Sequence, residues 1–337
     1  MTDPRTWSPV PLARGVRGAV VAPHHLATAA GSGVLQAGGT AVDAAIAANA
    51  VLGVVMPNGC GIGGDAFWLI WDQASGRQLA LNGSGRAPAG ASAEALRAAG
   101  MRTIPLRGPH AITVPGAVRS WGEAHRRFGR LPRETILAPA IELARAGFPA
   151  WEGFIEAVEA TVPIVMATLG PGAGFFPVYR PAGRAWRPGE RVRLPALAAT
   201  LEALASDGFD AFYDGDLGER QSRALSAIGS PVRAADLAAH TADWGEPIAL
   251  DYRGVRVTTH PPNSSGVVAL EILSILREFA PPPAAAFGPE GTTDPAWIHL
   301  GIEATKLAMA DRDRHLTDPA FRDVPVGRLL DPGHGAE

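Results

Sequence analysis

The residues best suited to chemistry lie in two glycine-rich segments separated by a short apolar run. The first, residues 59–64, reads GCGIGG and leads directly into Asp65, and the second, residues 82–88, reads NGSGRAP and contains Arg86. Glycine lets the backbone approach another group closely and adopt positive φ, so such loops can surround a ligand. A guanidinium beside them could bind an anion in a bidentate way. Both segments are therefore predicted to border a site.

The spacing of the first segment matches a dinucleotide-binding fingerprint, but its surroundings do not. Gly59, Gly61 and Gly64 satisfy G-x-G-x-x-G. That motif must follow a strand and open a helix whose N-terminus holds the pyrophosphate. Here an apolar helical pattern precedes the glycines and a strand-like run follows them. A dinucleotide-dependent oxidoreductase is therefore disfavoured and no cofactor is expected, while a simple turn between buried elements stays open.

Other polar clusters offer little support for a metal centre. Asp311, Asp313 and Asp318 lie near His315, but arginines interleave with them, so a salt-bridged helix end is favoured. The adjacent histidines 24–25 diverge on a helix and are better suited to a cap or a surface. No metal site is expected.

Composition restricts the classes of protein. The 337 residues carry a net charge of −3, with 47% hydrophobic and 19% charged residues. This balance is typical of a globular protein with a large core and gives no electrostatic reason to expect nucleic acid or an anionic membrane. Cys60 is the single cysteine, which excludes an internal disulfide. The first residues show no basic segment followed by an apolar one, so a cytoplasmic location is expected.

Local patterns predict the elements that hold the loops. Thr40 and Asp43 form a capping box for an apolar helix that runs to about residue 56 and is too short to cross a bilayer. A buried strand over 67–71 and a partner over 78–81 form a hairpin. Further helices are predicted over 24–35, 92–99, 117–128, 134–146, 194–207, 217–228, 266–279 and 296–315, further strands over 111–114, 249–252 and 255–259, and a long irregular excursion over 166–193.

The order of short motifs resembles the large subunit of the γ-glutamyltransferase family from about residue 18 to 328. The matching motifs are APHHLAT at 22–28, GGTAVDAA at 38–45, GIGG at 61–64, AP at 87–88, VPG at 114–116, PPNSSG at 261–266, and ADR at 310–312 followed by DP at 318–319. Residues 1–17 are then an N-terminal arm, and 18–337 the large-subunit part of a single domain shared with a small subunit.

The resemblance implies an α+β fold, namely the αββα sandwich of N-terminal-nucleophile hydrolases, completed by the second subunit. In that family a proenzyme cuts itself, and a newly exposed threonine attacks an amide. This chain ends at Glu337, where the family has its cleavage point, so the expected partner is a small (beta) subunit from the same precursor. No catalytic residue is then expected in this chain. An N-terminal threonine can use its own amino group as the base, which agrees with the lack of any internal nucleophile motif.

One departure from the family bears on the substrate. Transpeptidases of the family carry an arginine three residues before the equivalent of Ala87, where it binds the substrate carboxylate. Ser84 stands at that position here, and Arg86 is displaced by two residues. The segment is more similar to the divergent hydrolytic branch, with oxamate amidohydrolase-like and cephalosporin acylase-like enzymes. Hydrolysis of a small acidic amide is therefore favoured over γ-glutamyl transfer.

The residues expected to bind substrate are Arg86, Asp65 and His110. Arg86 could hold a substrate anion or pair with a structural carboxylate. Asp65 could orient an amine or cap its loop, and His110 could be a buried, hydrogen-bonded side chain. Asn263 and Ser264 are expected to cap the helix that begins at residue 266 rather than to touch substrate.

Two other functions stay open. One is a true γ-glutamyl transpeptidase or glutathione hydrolase. The other is a catalytically inactive homologue that acts as a binding module, and the residue encoded after Glu337 would distinguish it from an enzyme.

Overall fold

The computed structural model describes residues 14–288, 291–292, 294–331 and 333–334. Most of the predicted N-terminal arm and the chain end at Glu337 lie outside the described residues. The helices are α1 (His25–Gln36), α2 (Ala41–Val55), α3 (Ala93–Ala98), α4 (Ala117–Phe128), α5 (Arg133–Ala146), α6 (Glu152–Thr168), α7 (Phe175–Tyr179), α8 (Pro195–Asp207), α9 (Gly215–Ala227), α10 (Ala234–Ala238), α11 (Gly266–Arg277), α12 (Pro295–His315) and α13 (Val326–Leu329). The strands are β1 (Ala66–Asp72), β2 (Arg77–Gly83), β3 (Phe148–Pro149), β4 (Arg191–Val192), β5 (Asp243–Gly245), β6 (Ile248–Tyr252), β7 (Val255–Thr259), β8 (Phe287–Gly288) and β9 (Gly291–Thr292).

The chain forms two compact units, and two of their three boundaries fall at the glycine-rich segments. The first unit takes the chain up to Gly64 and then from Gly85 to His240. The second unit takes Asp65–Ser84 and the chain from Thr241 onward. The hairpin β1–β2 therefore belongs with the C-terminal part of the chain.

Helix α2 is the centre of the first unit, where α1, α4 and α5 pack against it. Its residues are buried almost all round, as the apolar pattern predicts. Asn49 is the polar residue inside the apolar run, and its Oδ1 accepts a hydrogen bond from Trp121 Nε1 at 3.0 Å. This bond satisfies an amide that would otherwise be costly to bury.

The capping box at the start of α2 is confirmed and extends beyond the helix. Asp43 is fully buried, and its carboxylate accepts from the backbone N–H of Thr40 at 2.9 Å. It also accepts from the N–H groups of Arg130 at 3.0 Å and Leu131 at 3.3 Å. One buried charge thus joins the start of α2 to the loop between α4 and α5, compensated by backbone donors and the helix N-terminus.

The second unit is built on an antiparallel sheet in the order β1–β2–β5, beside the separate hairpin β6–β7. Strand β1 pairs with β2 from Ala66↔Gly83 to Asp72↔Arg77, as the turn at residues 75–77 predicts. Strand β2 then pairs with β5 over Ala80↔Gly245 to Asn82↔Asp243. Helix α11 packs against β6, β7, α12 and α13.

The prediction that residues 67–71 form a buried strand is right about the strand and wrong about the burial. Phe67, Leu69 and Trp71 remain 44%, 42% and 61% exposed on one face of β1. Within the described chain the sheet order also leaves the outer edge of β1 unpaired. An apolar face and an open strand edge therefore coincide on one strand.

The excursion predicted over 166–193 folds back onto its own unit. It contains the end of α6, the short helix α7 and strand β4, which pairs with β3. The rings of Phe175 and Tyr179 lie 5.2 Å apart by centroid, and Tyr179 lies 6.4 Å from Phe154 of α6. Together with Pro57 and Asn58 these side chains line an apolar pocket next to the first glycine segment.

Candidate functional site

The first glycine loop is held by helix α4. Gly64 donates its N–H to Gly61 O at 3.1 Å, and Gly64 O accepts from the N–H groups of Gly116 and Ala117 at 3.0 and 2.9 Å. These donors lie at the start of α4, so this carbonyl occupies part of the N-terminus that could otherwise bind an anion. No glycine from Gly59 to Gly64 has positive φ, contrary to expectation. A Cβ at Gly61 would meet open space, so the loop is accessible rather than tightly packed.

The second glycine segment runs beside residues 113–114. A Cβ at Gly85 would lie 1.9 Å from Val114 O, so only glycine permits this approach. Val114 donates its N–H to Arg86 O at 3.0 Å. The strand predicted over 111–114 is wrong: the chain makes a 3-10 turn at Pro109–Ala111 and then pairs with residue 86 through this bond. The backbone of Arg86 is therefore fixed while its side chain stays exposed.

A hydrogen-bonded polar network lies at the end of β2 in the second unit. Asn82 Nδ2 donates to Asn263 Oδ1 at 2.9 Å, and Asn263 Nδ2 donates to Ser84 Oγ at 2.9 Å. Asn82 Oδ1 in turn accepts from the N–H of Ser84 at 2.9 Å. The three side chains are half-buried and hold each other's orientation. With its oxygen accepting from Asn263, the Ser84 hydroxyl keeps its own proton for another acceptor.

The expectation that Asn263 caps α11 is wrong, because its amide binds Asn82 and Ser84 instead. Helix α11 has Ser265 as its N-cap residue and no side-chain cap bond there. The Ser264 hydroxyl donates to His260 O at 3.1 Å and accepts from the N–H of Gly266 at 3.2 Å, so Ser264 does stabilise this turn. Sequence spacing could not reveal the network, since Asn263 lies 181 residues from Asn82.

A second polar cluster lies where α11, α12 and the residues after α13 meet. His334 Nε2 is 2.7 Å from Asp311 Oδ2 and 3.9 Å from Glu271 Oε1. Glu271 is 2% exposed, and burial, aided by Asp311, raises the pKa of its carboxyl to about 8. Asp313 pairs with Arg312, as the salt-bridge interpretation predicts, but Asp311 faces this cluster instead. Of the adjacent histidines 24 and 25, His24 caps α1, because its Nδ1 accepts a hydrogen bond from the N–H of Leu26.

Comparison with known proteins decides the family. Residues 27–337 match the family model for gamma-glutamyltranspeptidase. The chain belongs to the gamma-glutamyltranspeptidase family. The resemblance drawn from the motifs is thereby confirmed.

Two relatives with about 40% identity are proenzymes. The chain is 41% identical over 321 residues to the oxamate amidohydrolase proenzyme of Klebsiella pneumoniae and 39% identical over 320 residues to the glutathione hydrolase-like YwrD proenzyme of Bacillus subtilis. Each alignment covers 94% of this chain and 58% of the relative. The solved cephalosporin acylase from Bacillus halodurans has a TM-score of 0.85 and 35% identity, covering all of this chain and 62% of that one. The chain thus spans less than two thirds of the length of these relatives.

Membership of the gamma-glutamyltranspeptidase family confirms the α+β fold of an N-terminal-nucleophile hydrolase. Within the described residues, no helix combines the length and apolar character that a bilayer crossing requires. Arg86 and His110 belong to the first unit and Asp65 to the second. Arg86 and Asp65 are exposed, while His110 is half-buried in the 3-10 turn. Their roles in substrate binding stay predictions.

Proposed function

We propose that this chain is the large-subunit part of a self-processed amidohydrolase that cleaves an amide of a small acidic substrate. The nucleophile would be the N-terminal threonine of a second chain released from the same precursor. Its hydroxyl would attack the amide carbonyl and expel the amine, and water would then release the acid from the acyl-enzyme. The threonine's own amino group would move the protons, which is why this chain would need no catalytic base.

The observation that carries the choice of substrate is the environment of Ser84. This is the position where transpeptidases of the family carry arginine, and here a serine hydroxyl is held by Asn263. The site would therefore offer a hydroxyl donor in place of a bidentate guanidinium, which suits a smaller substrate. The 41% sequence identity to an oxamate amidohydrolase proenzyme supports the same class of substrate.

The exposed apolar face of β1 favours the proposal of a second chain. Phe67, Leu69 and Trp71 present an apolar surface beside a strand edge that pairs with no described strand. On α12, Ile298, Ile302 and Met309 follow a helical period and are also exposed. Exposed apolar surface of this extent is typical of protein interfaces. The relatives are proenzymes whose length is only 58% covered by this chain, so the remaining part of such a precursor is the proposed occupant.

The first experiment is expression of the whole precursor, followed by intact mass measurement and N-terminal sequencing. Two co-purifying chains, the second beginning with threonine, are expected. A single uncut chain, or a second chain that begins with a residue lacking a nucleophilic side chain, would contradict the proposal and favour an inactive binding homologue. If the chain is cut, comparing kcat/KM for oxamate and for a γ-glutamyl anilide distinguishes hydrolysis of small acidic amides from a true transpeptidase.

The predicted anion-binding role of Arg86 has its own test. Replacing Arg86→Ala should lower kcat/KM for acidic amides about 10- to 100-fold through KM, because a charge-assisted hydrogen bond contributes about 1.5–3 kcal/mol. Arg97→Ala is the matched control, since Arg97 is an exposed arginine of α3 with Glu94 as its ion-pair partner. An unchanged KM in the Arg86 variant would assign this arginine a structural role.

A further inference from the structure

The cluster of Glu271, Asp311 and His334 has the geometry of a three-ligand cation site. One donor atom from each residue lies within 4.8 Å of the other two. Metal ligands at about 2.0–2.2 Å from one ion can be at most about 4.4 Å apart. The separations of 2.7 Å and 3.9 Å from His334 Nε2 to its two carboxylate neighbours lie below this limit, and the shorter one is a hydrogen bond to Asp311 that a bound ion would replace.

The buried carboxylate of Glu271 provides a second, independent observation. Its Oε1 is inaccessible to solvent and has no hydrogen-bond partner, although it lies on the side of the cluster that faces His334. An unpaired carboxylate oxygen in this setting is costly unless a proton or a cation compensates it.

His315, the other histidine beside Asp311, does not neutralise that carboxylate. His315 lies 3.8 Å from Asp311 Oδ1, but its Nε2 is 2.8 Å from a guanidinium nitrogen of Arg328. That contact requires His315 Nε2 to accept, so His315 is neutral there and donates nothing to Asp311 from this atom. The charge of Arg328 is thus directed at His315 rather than at the carboxylates.

We propose that Glu271, Asp311 and His334 bind a divalent transition-metal ion, with Zn²⁺ the best match. One imidazole and two carboxylates suit zinc and its neighbours, whereas calcium and magnesium prefer oxygen ligands alone. Water would complete a four-coordinate site. A coordinating atom donates a lone pair, so His334 Nε2 and the Glu271 carboxylate would have to be deprotonated in the metal-bound state. The ion would join α11, α12 and the residues after α13, a structural role separate from the proposed amide hydrolysis.

The test uses the full-length protein after chelator treatment and titrates it with Co²⁺, which reports its coordination through visible absorption. One equivalent should bind with a d–d band, Zn²⁺ should displace it, and millimolar Mg²⁺ or Ca²⁺ should not. Glu271→Gln and His334→Gln should each weaken Co²⁺ binding at least tenfold. His299→Gln, an exposed histidine on α12, is the matched control and should change nothing.

Two results would overturn the proposal. One is the absence of saturable Co²⁺ or Zn²⁺ binding to the wild-type protein, which needs no variant and would assign the cluster to proton sharing. The other is undiminished binding by both variants, with each shown to be folded by its melting temperature. Neither measurement depends on amide hydrolysis, so this proposal can fail while the proposed function stands, and the reverse also holds.

Discussion

The open face of β1 leads to a quantitative prediction about the proposed second chain. Trp71 is 61% exposed, and a tryptophan side chain presents about 250 Å² in total, so roughly 150 Å² is free. Covering that area would contribute at most about 4 kcal/mol at about 25 cal/mol per Å². Part of this free energy offsets the entropy that two chains lose when they associate. Truncating a hot-spot residue of an interface typically lowers the binding free energy by about 2–4 kcal/mol. Trp71→Ser should therefore weaken the association of the two processed chains by about 30-fold or more.

The assay is dissociation of the processed two-chain protein in increasing urea, followed by sedimentation. The Trp71→Ser protein should dissociate at lower urea than wild type. Leu106→Ser is the control, because Leu106 is 94% exposed in the first unit and belongs to no apolar face described above. Identical dissociation curves for Trp71→Ser and wild type would refute the reasoning and place the second chain elsewhere.

Two further predictions concern buried polar groups. Asp43→Asn should lower the free energy of unfolding by about 2–4 kcal/mol, because an amide cannot accept from all the backbone N–H groups that surround the carboxylate. Urea denaturation measures this change, with the exposed Asp323→Asn as the control. Equal urea midpoints for Asp43→Asn and wild type would contradict the prediction. Burial lowers the pKa of His260, so below pH 6.5 the unfolded chain takes up a proton that the folded state resists. The contribution of His260 to folding stability is thus fully present above pH 6.5 and is lost as the pH falls towards its folded-state pKa. His260→Phe should therefore reduce the fall in melting temperature between pH 7 and 5. An equal fall in the variant and in wild type would argue against this prediction.

Local signals predicted the elements whose stability is local. The capping box of Thr40 and Asp43 and the turn at residues 75–77 specify α2 and the hairpin through hydrogen bonds only a few residues apart. No helix was predicted where α6 forms, around Pro163. Burial of β1 was the wrong inference because an apolar strand looks the same whether its own chain or another covers it.

The candidate site was predictable only in part. Motif order identified the family and drew attention to Ser84, but the partner of Ser84 is 179 residues away along the chain. The convergence of Glu271, Asp311 and His334 likewise depends on how α11 and α12 pack and leaves no pattern in the sequence. Side-chain contacts between distant elements therefore form the part of the site that single-sequence reasoning cannot reach.

The division of the chain into units has a consequence for biosynthesis. The hairpin β1–β2 is made early, yet its other strand partner, β5, follows roughly 160 residues later. At about 5–20 residues per second, the ribosome delivers β5 about 10–30 s after the hairpin. During that interval Phe67, Leu69 and Trp71 have neither a completed sheet nor the proposed second chain to cover them. The nascent hairpin is therefore a natural binding site for chaperones, and slower translation downstream of it should increase aggregation.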